Sequence, residues 1–258
     1  MHEEITPLII TLDEAPNIRR TLDKLVWARR IVVVDSGSTD GTLDLLRAYP
    51  QVDVIQHPFA DFATQCNFGL TQVATAWVLS LDADYELSDA LVDELGLLEP
   101  PGATAGYRAR FVYRMHGRAL RGTLYPPRTV LYRKDKAVYR NEGHGHRVVV
   151  RGEVRALNGV VYHDDRKPLA RWLASQHRYA REEARYLAET PVETLTRGDR
   201  IRRMGWPAPI GIFLYTLFAK GCLLDGWPGW CYALQRLVAE TLIALEIVDQ
   251  RLRGTRRP

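Results

Sequence analysis

The 258-residue sequence contains little cysteine and no long uninterrupted apolar stretch. Its three cysteines, Cys66, Cys222 and Cys231, are an odd number and form no Cys-x-x-Cys pair. This argues against a zinc site or a disulfide framework and fits a reduced compartment. Low-complexity segments are also missing, and a hydrophobic fraction of 46% is that of a globular protein rather than a disordered one.

Signals for export and for nucleic-acid binding are absent as well. The N-terminus carries Glu3 and Glu4, and the apolar run that begins near Pro7 is too short and wrongly flanked for a signal peptide. The net charge of +4 is mild and is accompanied by no nucleic-acid-binding motif. We therefore expect a cytoplasmic protein that does not bind nucleic acid.

The first hundred residues alternate short runs typical of strands with longer stretches typical of helices. Residues 31–34 are all β-branched, which predicts a strand buried on both faces, and Ser88 is placed to cap a helix. This alternation predicts an α/β fold with a doubly wound, mostly parallel sheet. The predicted strands are 8–12, 31–34, 52–56 and 77–81, and the predicted helices are 15–28, 41–48, 62–74 and 88–98.

The pattern changes after Pro100-Pro101-Gly102, which marks a boundary. Residues 101–168 contain strand-like runs and predict an antiparallel extension that completes the same domain. Residues 169–258 predict a C-terminal helical segment, which begins with a helix over 169–189.

The apolar stretch that begins near Trp206 is too short for a transmembrane helix. Lys220 and Asp225 interrupt it, whereas a span needs about 20 mostly apolar residues. Basic residues flank it, and such clusters suit an anionic membrane surface. They are Arg197, Arg200, Arg202 and Arg203 before it, and Arg251, Arg253, Arg256 and Arg257 after it. The segment predicts interfacial helices at a membrane, with packing on the main domain or contact between subunits as the alternative.

Two carboxylates follow the fourth predicted strand, in the sequence Asp82-Ala83-Asp84. Ligands bind at the carboxyl ends of the strands in doubly wound sheets. Side chains at i and i+2 point the same way in an extended chain, so both aspartates can address one cation. Hard oxygen ligands suit Mg²⁺ or Mn²⁺, which bridge diphosphate oxygens. A solvated acidic loop is the alternative interpretation.

Acidic and small residues also follow the first two strands. Asp35 ends the second strand and precedes Ser36-Gly37-Ser38, whose small side chains let a ligand approach the backbone. Asp35 is a candidate for contact with a nucleotide, while Asp40 complements the dipole of the next helix. Glu14 follows the first strand, where it can meet a ribose hydroxyl or oppose a helix dipole.

These three strand ends together resemble the amino-terminal half of glycosyltransferase family 2, whose fold is called GT-A. The resemblance covers roughly residues 5–100, with Asp13 where the family carries asparagine. It implies an inverting transferase that uses a nucleotide-sugar donor, of the UDP type, and Mn²⁺ or Mg²⁺. Residues 1–100 would bind the donor, and residues 101–168 would provide the acceptor and catalytic half. The implied donor-binding residues are Thr11, Glu14, Asp35 and Asp82, and the implied metal ligands are Asp84 and His163.

The later half resembles a narrower subgroup, the glucosyltransferases that extend the lipopolysaccharide inner core. That resemblance rests on the segments 128–134 and 224–229, together with His163 and a helix containing Tyr179. It implies a glycan or lipid-linked acceptor and peripheral contact with the cytoplasmic face of the inner membrane.

The chain departs from this subgroup at the expected catalytic base. The subgroup carries His-Glu where this sequence reads His146-Arg147. An inverting transfer needs a base within hydrogen-bond reach of the attacking hydroxyl. Glu142, a few residues upstream, and His144, between two glycines, are the two candidates.

Two other functions stay open at this point. A catalytically inactive module that binds a nucleotide sugar would explain Arg147. A sugar nucleotidyltransferase uses a related fold, but it would need a glycine-rich basic loop, which residues 6–20 lack.

Overall fold

The structure is a computed structural model that describes residues 1–142 and 145–254. The chain divides into two compact units. The first comprises Met1–Gly117 and Tyr125–Arg166, and the second comprises Arg118–Leu124 and the residues from Lys167 onward.

Strands and helices alternate over the first hundred residues, strands predominate from there to His163, and helices follow. The strands are β1 (Ile5–Thr11), β2 (Ile31–Asp35), β3 (Val52–Gln56), β4 (Trp77–Asp82), β5 (Tyr85–Leu87), β6 (Thr104–Met115), β7 (Arg118–Ala119), β8 (Arg128–Arg133), β9 (Ala137–Glu142), β10 (Gly145–Val150) and β11 (Glu153–His163). The helices are α1 (Ile18–Asp23), α2 (Thr42–Leu46), α3 (Phe62–Gln72), α4 (Asp89–Leu97), α5 (Leu169–Glu189), α6 (Arg197–Met204), α7 (Pro207–Leu214) and α8 (Trp227–Gly254).

A central sheet with the strand order β3-β2-β1-β4-β8-β6-β11-β5 organises the first unit. Strands β3, β2, β1 and β4 are parallel to one another. Strand β8 lies antiparallel between β4 and β6, β6 is parallel to β11, and β5 lies antiparallel beside β11. The predicted mostly parallel α/β sheet with an antiparallel extension is confirmed, and the antiparallel strands are β8 and β5.

The sheet is covered on both faces, as the β-branched sequence of β2 predicts. Ile31 and Val33 pack into a core cluster that contains residues of α1 and α4. Val32 and Val34 point the other way, into a cluster that contains residues of α3. This alternation is the strand period of two, and it explains why β2 is apolar at successive positions. Strands β9 and β10 form a separate antiparallel pair whose Val148 and Val150 pack against the second cluster.

Helix boundaries agree with the prediction where a cap is encoded. The Ser88 hydroxyl accepts a hydrogen bond from the Leu91 N–H at 3.2 Å, so Ser88 caps α4 as predicted. Helix α1 is shorter than the predicted 15–28. It ends at Asp23. The chain then forms two turns, in which the N–H groups of Leu25 and Ala28 each donate to the carbonyl oxygen three residues earlier. These turns keep both side chains in the core.

The second unit is predominantly helical, as predicted for the C-terminal segment. Its helices α6 and α8 are joined by Arg202, whose guanidinium donates to the buried Glu240 carboxylate at 2.7 Å. Within residues 1–142 and 145–254, the structure contains no helix that is both long enough and apolar enough to cross a membrane.

Candidate active site

Strand register brings the ends of β1, β2 and β4 together at the carboxyl edge of the sheet. Thr11 at the end of β1 pairs with Asp35 at the end of β2, and Ile10 pairs with Asp82 at the end of β4. Adjacent strands lie about 5 Å apart, so three of the four predicted donor-binding residues are neighbours. Because Asp82 pairs with Ile10 and not with Thr11, side-chain alternation directs it to the opposite face of the sheet from Asp35.

The Asp35 carboxylate is fully buried and heavily hydrogen-bonded. One oxygen accepts from the Ser38 and Gly37 N–H groups and from the Gln56 amide, each at 2.9 Å. The other accepts from the hydroxyls of Thr11, at 2.8 Å, and Ser38. Burial favours the neutral acid, but these donors outweigh it and lower the pKa of Asp35. Asp35 is therefore an ionised anchor that fixes the turn after β2.

Hydrogen bonds connect the loop after β1 to the loop after β2. Asp13 adopts a φ of +55°, a left-handed conformation that aspartate tolerates better than most residues, and its carboxylate accepts from the Thr39 N–H at 2.7 Å. The Glu14 N–H donates to the Thr42 hydroxyl at 2.7 Å. The Glu14 carboxylate accepts from the Asn17 amide at 2.9 Å. The aspartate that replaces the family's asparagine thus has a defined local role.

Asp84 and His163 meet although 79 positions separate them in the sequence. The chain turns at Ala83 and Asp84, so strand alternation does not set the relative directions of Asp82 and Asp84. His163 ends β11, where it pairs with Tyr85, and its Nε2 lies 3.2 Å from Asp84 Oδ2. Burial opposes the charged imidazole, but the Asp84 carboxylate outweighs it and raises the pKa of His163.

Three tyrosines surround the His163 ring. The ring centroids of Tyr113, Tyr125 and Tyr85 lie 4.6, 5.0 and 5.2 Å from it. The hydroxyls of Tyr85 and Tyr125 contact each other, and desolvation raises the pKa of both. This aromatic enclosure restricts the imidazole and leaves the side chains of His163 and Asp84 only 15% and 11% exposed. No local pattern predicts these contacts, because the pairing of β11 with β5 and β6 brings Tyr85 and Tyr113 to His163, and Tyr125 reaches the ring from the segment before β8.

A cavity of about 440 Å³ opens beside the end of β4, and its size is within the range of small-molecule sites. Its lining includes Asp82, Tyr85, Arg128 and Arg147. Tyr85 joins the two parts of the site, since it lines the cavity and contacts His163. The two guanidiniums suit an anionic ligand such as a diphosphate.

The pair of Asp84 and His163 fits a divalent metal in its donor chemistry. It supplies one carboxylate and one imidazole, and His163 Nδ1 is buried without a hydrogen-bond partner among the described residues. Oxygen and nitrogen donors of this kind suit Mn²⁺. Among residues 1–142 and 145–254, no group of three His, Cys, Asp or Glu side chains is arranged to hold a metal by itself. Ligand phosphates would have to complete the coordination, as is common for Mg²⁺ sites.

Comparison with known proteins identifies the family to which this site belongs. The sequence profile described as Glycosyl transferase family 2 matches residues 8–146, more than half of the chain. The chain belongs to glycosyltransferase family 2. The resemblance seen in the strand ends is confirmed, and the protein is a glycosyltransferase.

Two relatives of this glycosyltransferase match along nearly their whole lengths. The lipopolysaccharide core biosynthesis glycosyltransferase LpsC of Rhizobium meliloti strain 1021 is 29% identical over 95% of this chain and 92% of its own. An uncharacterized glycosyltransferase of Rickettsia prowazekii strain Madrid E is 26% identical over 98% of this chain and 89% of its own. The similarity to LpsC is consistent with the subgroup inferred from the later half of the sequence.

The fold of the glycosyltransferase is similar to that of a solved GT-A enzyme. The mannosyltransferase PcManGT from Pyrobaculum calidifontis, solved with GDP-Man and Mn²⁺, has a TM-score of 0.52 and 15% identity. The match covers 99% of this chain and 88% of that one. The similarity supports the GT-A fold.

The structure gives no side-chain contacts for the two candidate bases of the glycosyltransferase. Glu142 ends β9, and its side chain is not among those described, while His144 lies outside the described residues. Arg147 is exposed on β10 and lines the cavity. Arg147, which stands where the subgroup is expected to carry glutamate, therefore lines the cavity beside the end of β4, and the choice between Glu142 and His144 stays a prediction.

Proposed function

We propose that this glycosyltransferase transfers a sugar from a nucleoside-diphosphate donor, with inversion, to a membrane-borne glycan or lipid-linked acceptor such as lipopolysaccharide core. The observation that carries the proposal is the contact of Asp84 with His163 beside Asp82 at the end of β4. The name of LpsC supports the acceptor class. The complex of PcManGT supports a nucleotide-sugar donor.

The nucleoside of the donor would bind at the loops after β1 and β2. Thr11 and Asp35 would shape this pocket by fixing the turn after β2, because five donors already occupy the two oxygens of Asp35 and a carboxylate offers about four lone-pair sites. Glu14 and Asp82 would face the ribose. A ligand group that binds Asp35 directly would have to displace one of those five donors.

Asp84 and His163 would hold Mn²⁺ or Mg²⁺ together with the donor diphosphate. The metal would stabilise the negative charge that develops on the leaving diphosphate. Arg128 and Arg147 line the neighbouring cavity and would meet phosphate or an anionic acceptor. The tyrosines around His163 would keep water from the metal ligands and from the donor.

The donor proposal is tested without knowledge of the acceptor. The protein is incubated with a panel of UDP-, GDP- and dTDP-sugars, with Mn²⁺ or with EDTA, and release of nucleoside diphosphate is measured. We expect slow hydrolysis of one UDP-sugar that depends on the metal. Absence of both binding and hydrolysis across the panel would contradict the proposal. Pyrophosphate release from a nucleoside triphosphate and a sugar phosphate would favour a nucleotidyltransferase instead.

Substitution of the two candidate bases separates an active enzyme from an inactive module. Glu142→Gln is expected to lower kcat for transfer to a lipopolysaccharide-core acceptor by roughly 100-fold or more, with the donor KM unchanged, because a general base acts only on the attacking hydroxyl. His144→Gln should have a smaller effect if Glu142 is the base. The matched control is Asp135→Asn, which changes an exposed carboxylate on the turn before β9.

The outcomes distinguish which residue is the base and whether the protein is active. A large loss in His144→Gln alone assigns the base to His144. A wild-type protein that binds UDP-sugar in isothermal titration, yet shows no turnover with any acceptor, is the inactive module that Arg147 suggests.

A further inference from the structure

The outer face of α7 and of the turns that follow it is apolar. Trp206, Ile210, Leu214, Tyr215 and Phe218 are between 47% and 75% exposed. Trp206, Ile210, Leu214 and Phe218 recur every four residues and Tyr215 adjoins Leu214, so they lie on one side of the helix and of the π-helical turn Tyr215–Ala219. The intervening exposed positions are Gly211 and Ala219, so this side carries no charged residue.

The start of α8 and the turn before it carry further exposed apolar side chains. Leu224, at 68%, lies in the short helical turn Cys222–Asp225, and Trp227, at 86%, begins α8. Trp230 and Leu234 are also exposed and follow Trp227 at helical spacing. We call the exposed apolar side chains from Trp206 to Leu234 the α7–α8 apolar surface. Clusters of exposed aromatic residues of this kind mark an interaction site, since single exposed apolar residues are normal but contiguous groups are not.

The charged residues next to this surface in the sequence are mainly basic. Arg200, Arg203 and Lys220 flank it, and Lys220 Nζ lies 5.6 Å from the centre of the Tyr215 ring. Asp225 is the single acidic residue between positions 200 and 239. Its side chain is 7% exposed and is paired with Arg121 at 3.2 Å, so it does not offset the positive charge at the surface.

We infer that the α7–α8 apolar surface inserts into the interfacial region of an anionic lipid bilayer. Tryptophan and tyrosine prefer the headgroup level, where the ring is buried and its polar atom stays hydrated. Arginine and lysine beside an apolar helix face bind anionic headgroups. Helix α7 has 8 residues, about 12 Å, so it can lie in the interface but cannot cross the bilayer.

A second copy of the chain fits this surface less well. A two-fold symmetric dimer places the same patch of both copies face to face. Both patches would then bring the positive charges of Arg200, Arg203 and Lys220 into one interface, with Asp225 already paired to Arg121. An anionic membrane can bind the apolar side chains and the basic side chains at the same time.

The test is co-sedimentation of the full chain with vesicles of phosphatidylcholine, with and without phosphatidylglycerol. We expect binding that requires phosphatidylglycerol and weakens with salt. The double variant Phe218→Ser, Trp227→Ser should bind at least about tenfold more weakly, since each change removes a large aromatic side chain from the lipid. Lys220→Glu should weaken binding to the vesicles that contain phosphatidylglycerol. Leu97→Ser, at an 83% exposed leucine of α4, is the matched control and should bind like the wild type.

The result is independent of catalysis, although the inference shares the membrane-borne acceptor of the proposed function. Hydrolysis of the UDP-sugar in solution should be the same in the double variant and the wild type, so failure of donor chemistry and failure of lipid binding are distinguishable. Equal vesicle binding by both proteins would overturn the inference. So would a stable dimer, measured by light scattering, that dissociates in the double variant and does not bind vesicles.

Discussion

Asp84→Asn is expected to lower metal-dependent donor hydrolysis and sugar transfer by about 1,000-fold, equivalent to roughly 4 kcal/mol of transition-state stabilisation. Asparagine keeps the shape of the side chain but removes the negative charge that faces His163 at 3.2 Å. The proposed metal would lose its carboxylate ligand, and the leaving diphosphate would lose the charge stabilisation that the metal supplies. The effect should fall mainly on kcat and on the Mn²⁺ concentration required, and less on UDP affinity measured without metal.

The control for this prediction lies two residues further along the chain. Glu86 on β5 forms an ion pair with Arg114 at 3.3 Å, and Glu86→Gln also neutralises a largely buried carboxylate. It should change hydrolysis by no more than about threefold, since Glu86 does not line the cavity and is not a proposed metal ligand. Hydrolysis is measured against Mn²⁺ concentration, and circular dichroism checks that each variant is folded. Full activity in Asp84→Asn would refute the assignment of Asp84 as a metal ligand.

Asp35→Asn is expected to be the most destabilising single change at the site, by about 3 kcal/mol of unfolding free energy. The asparagine NH₂ group would face N–H or O–H donors that Asp35 now accepts, leaving buried donors without an acceptor. For a chain of this size, that corresponds to a fall in Tm of roughly 6–12 °C. The turn after β2 would lose its anchor, so UDP affinity should fall too.

Thermal unfolding and UDP titration at low temperature measure the two effects separately. Asp40→Asn is the matched control, because Asp40 is exposed and accepts from the Thr42 and Ala15 N–H groups in the same loop. It should lower the Tm by no more than about 2–4 °C, the effect of about 1 kcal/mol. An unchanged Tm in Asp35→Asn would show that the hydrogen-bonded carboxylate does not anchor the turn after β2.

The pH dependence of the Asp35 contribution follows from the direction of its pKa shift. The pKa of Asp35 is lowered in the folded state, because the hydrogen-bond donors outweigh burial. Its stabilisation is therefore complete above the usual value near 3.8 and is lost as the pH falls through the lowered pKa. The difference in unfolding free energy between wild type and Asp35→Asn should accordingly be constant near neutral pH and shrink under acid conditions.

Local features of the sequence predicted much of the first unit. Strand β2 was recognisable because four successive β-branched residues suit a strand covered on both faces, and α4 because Ser88 can cap a helix. The short α1 was not predictable in this way, since its end depends on turns that place Leu25 and Ala28 in the core. The insertion of β8 between β4 and β6 has no local signal either, because strand order is a property of long-range pairing.

The sequence by itself determined the α/β class, the family and the acidic residues at the strand ends, because strand periodicity, turn chemistry and the spacing of Asp35, Asp82 and Asp84 are local properties. Only the tertiary structure decided what those residues contact. It surrounded the Asp35 carboxylate with hydrogen-bond donors from Thr11, Ser38 and Gln56. It also placed Asp82 in the lining of the cavity. It also brought His163 to Asp84 and enclosed that pair with tyrosines. The physical reason is that strand register and sheet order join residues distant in the chain, and no local pattern encodes that distance.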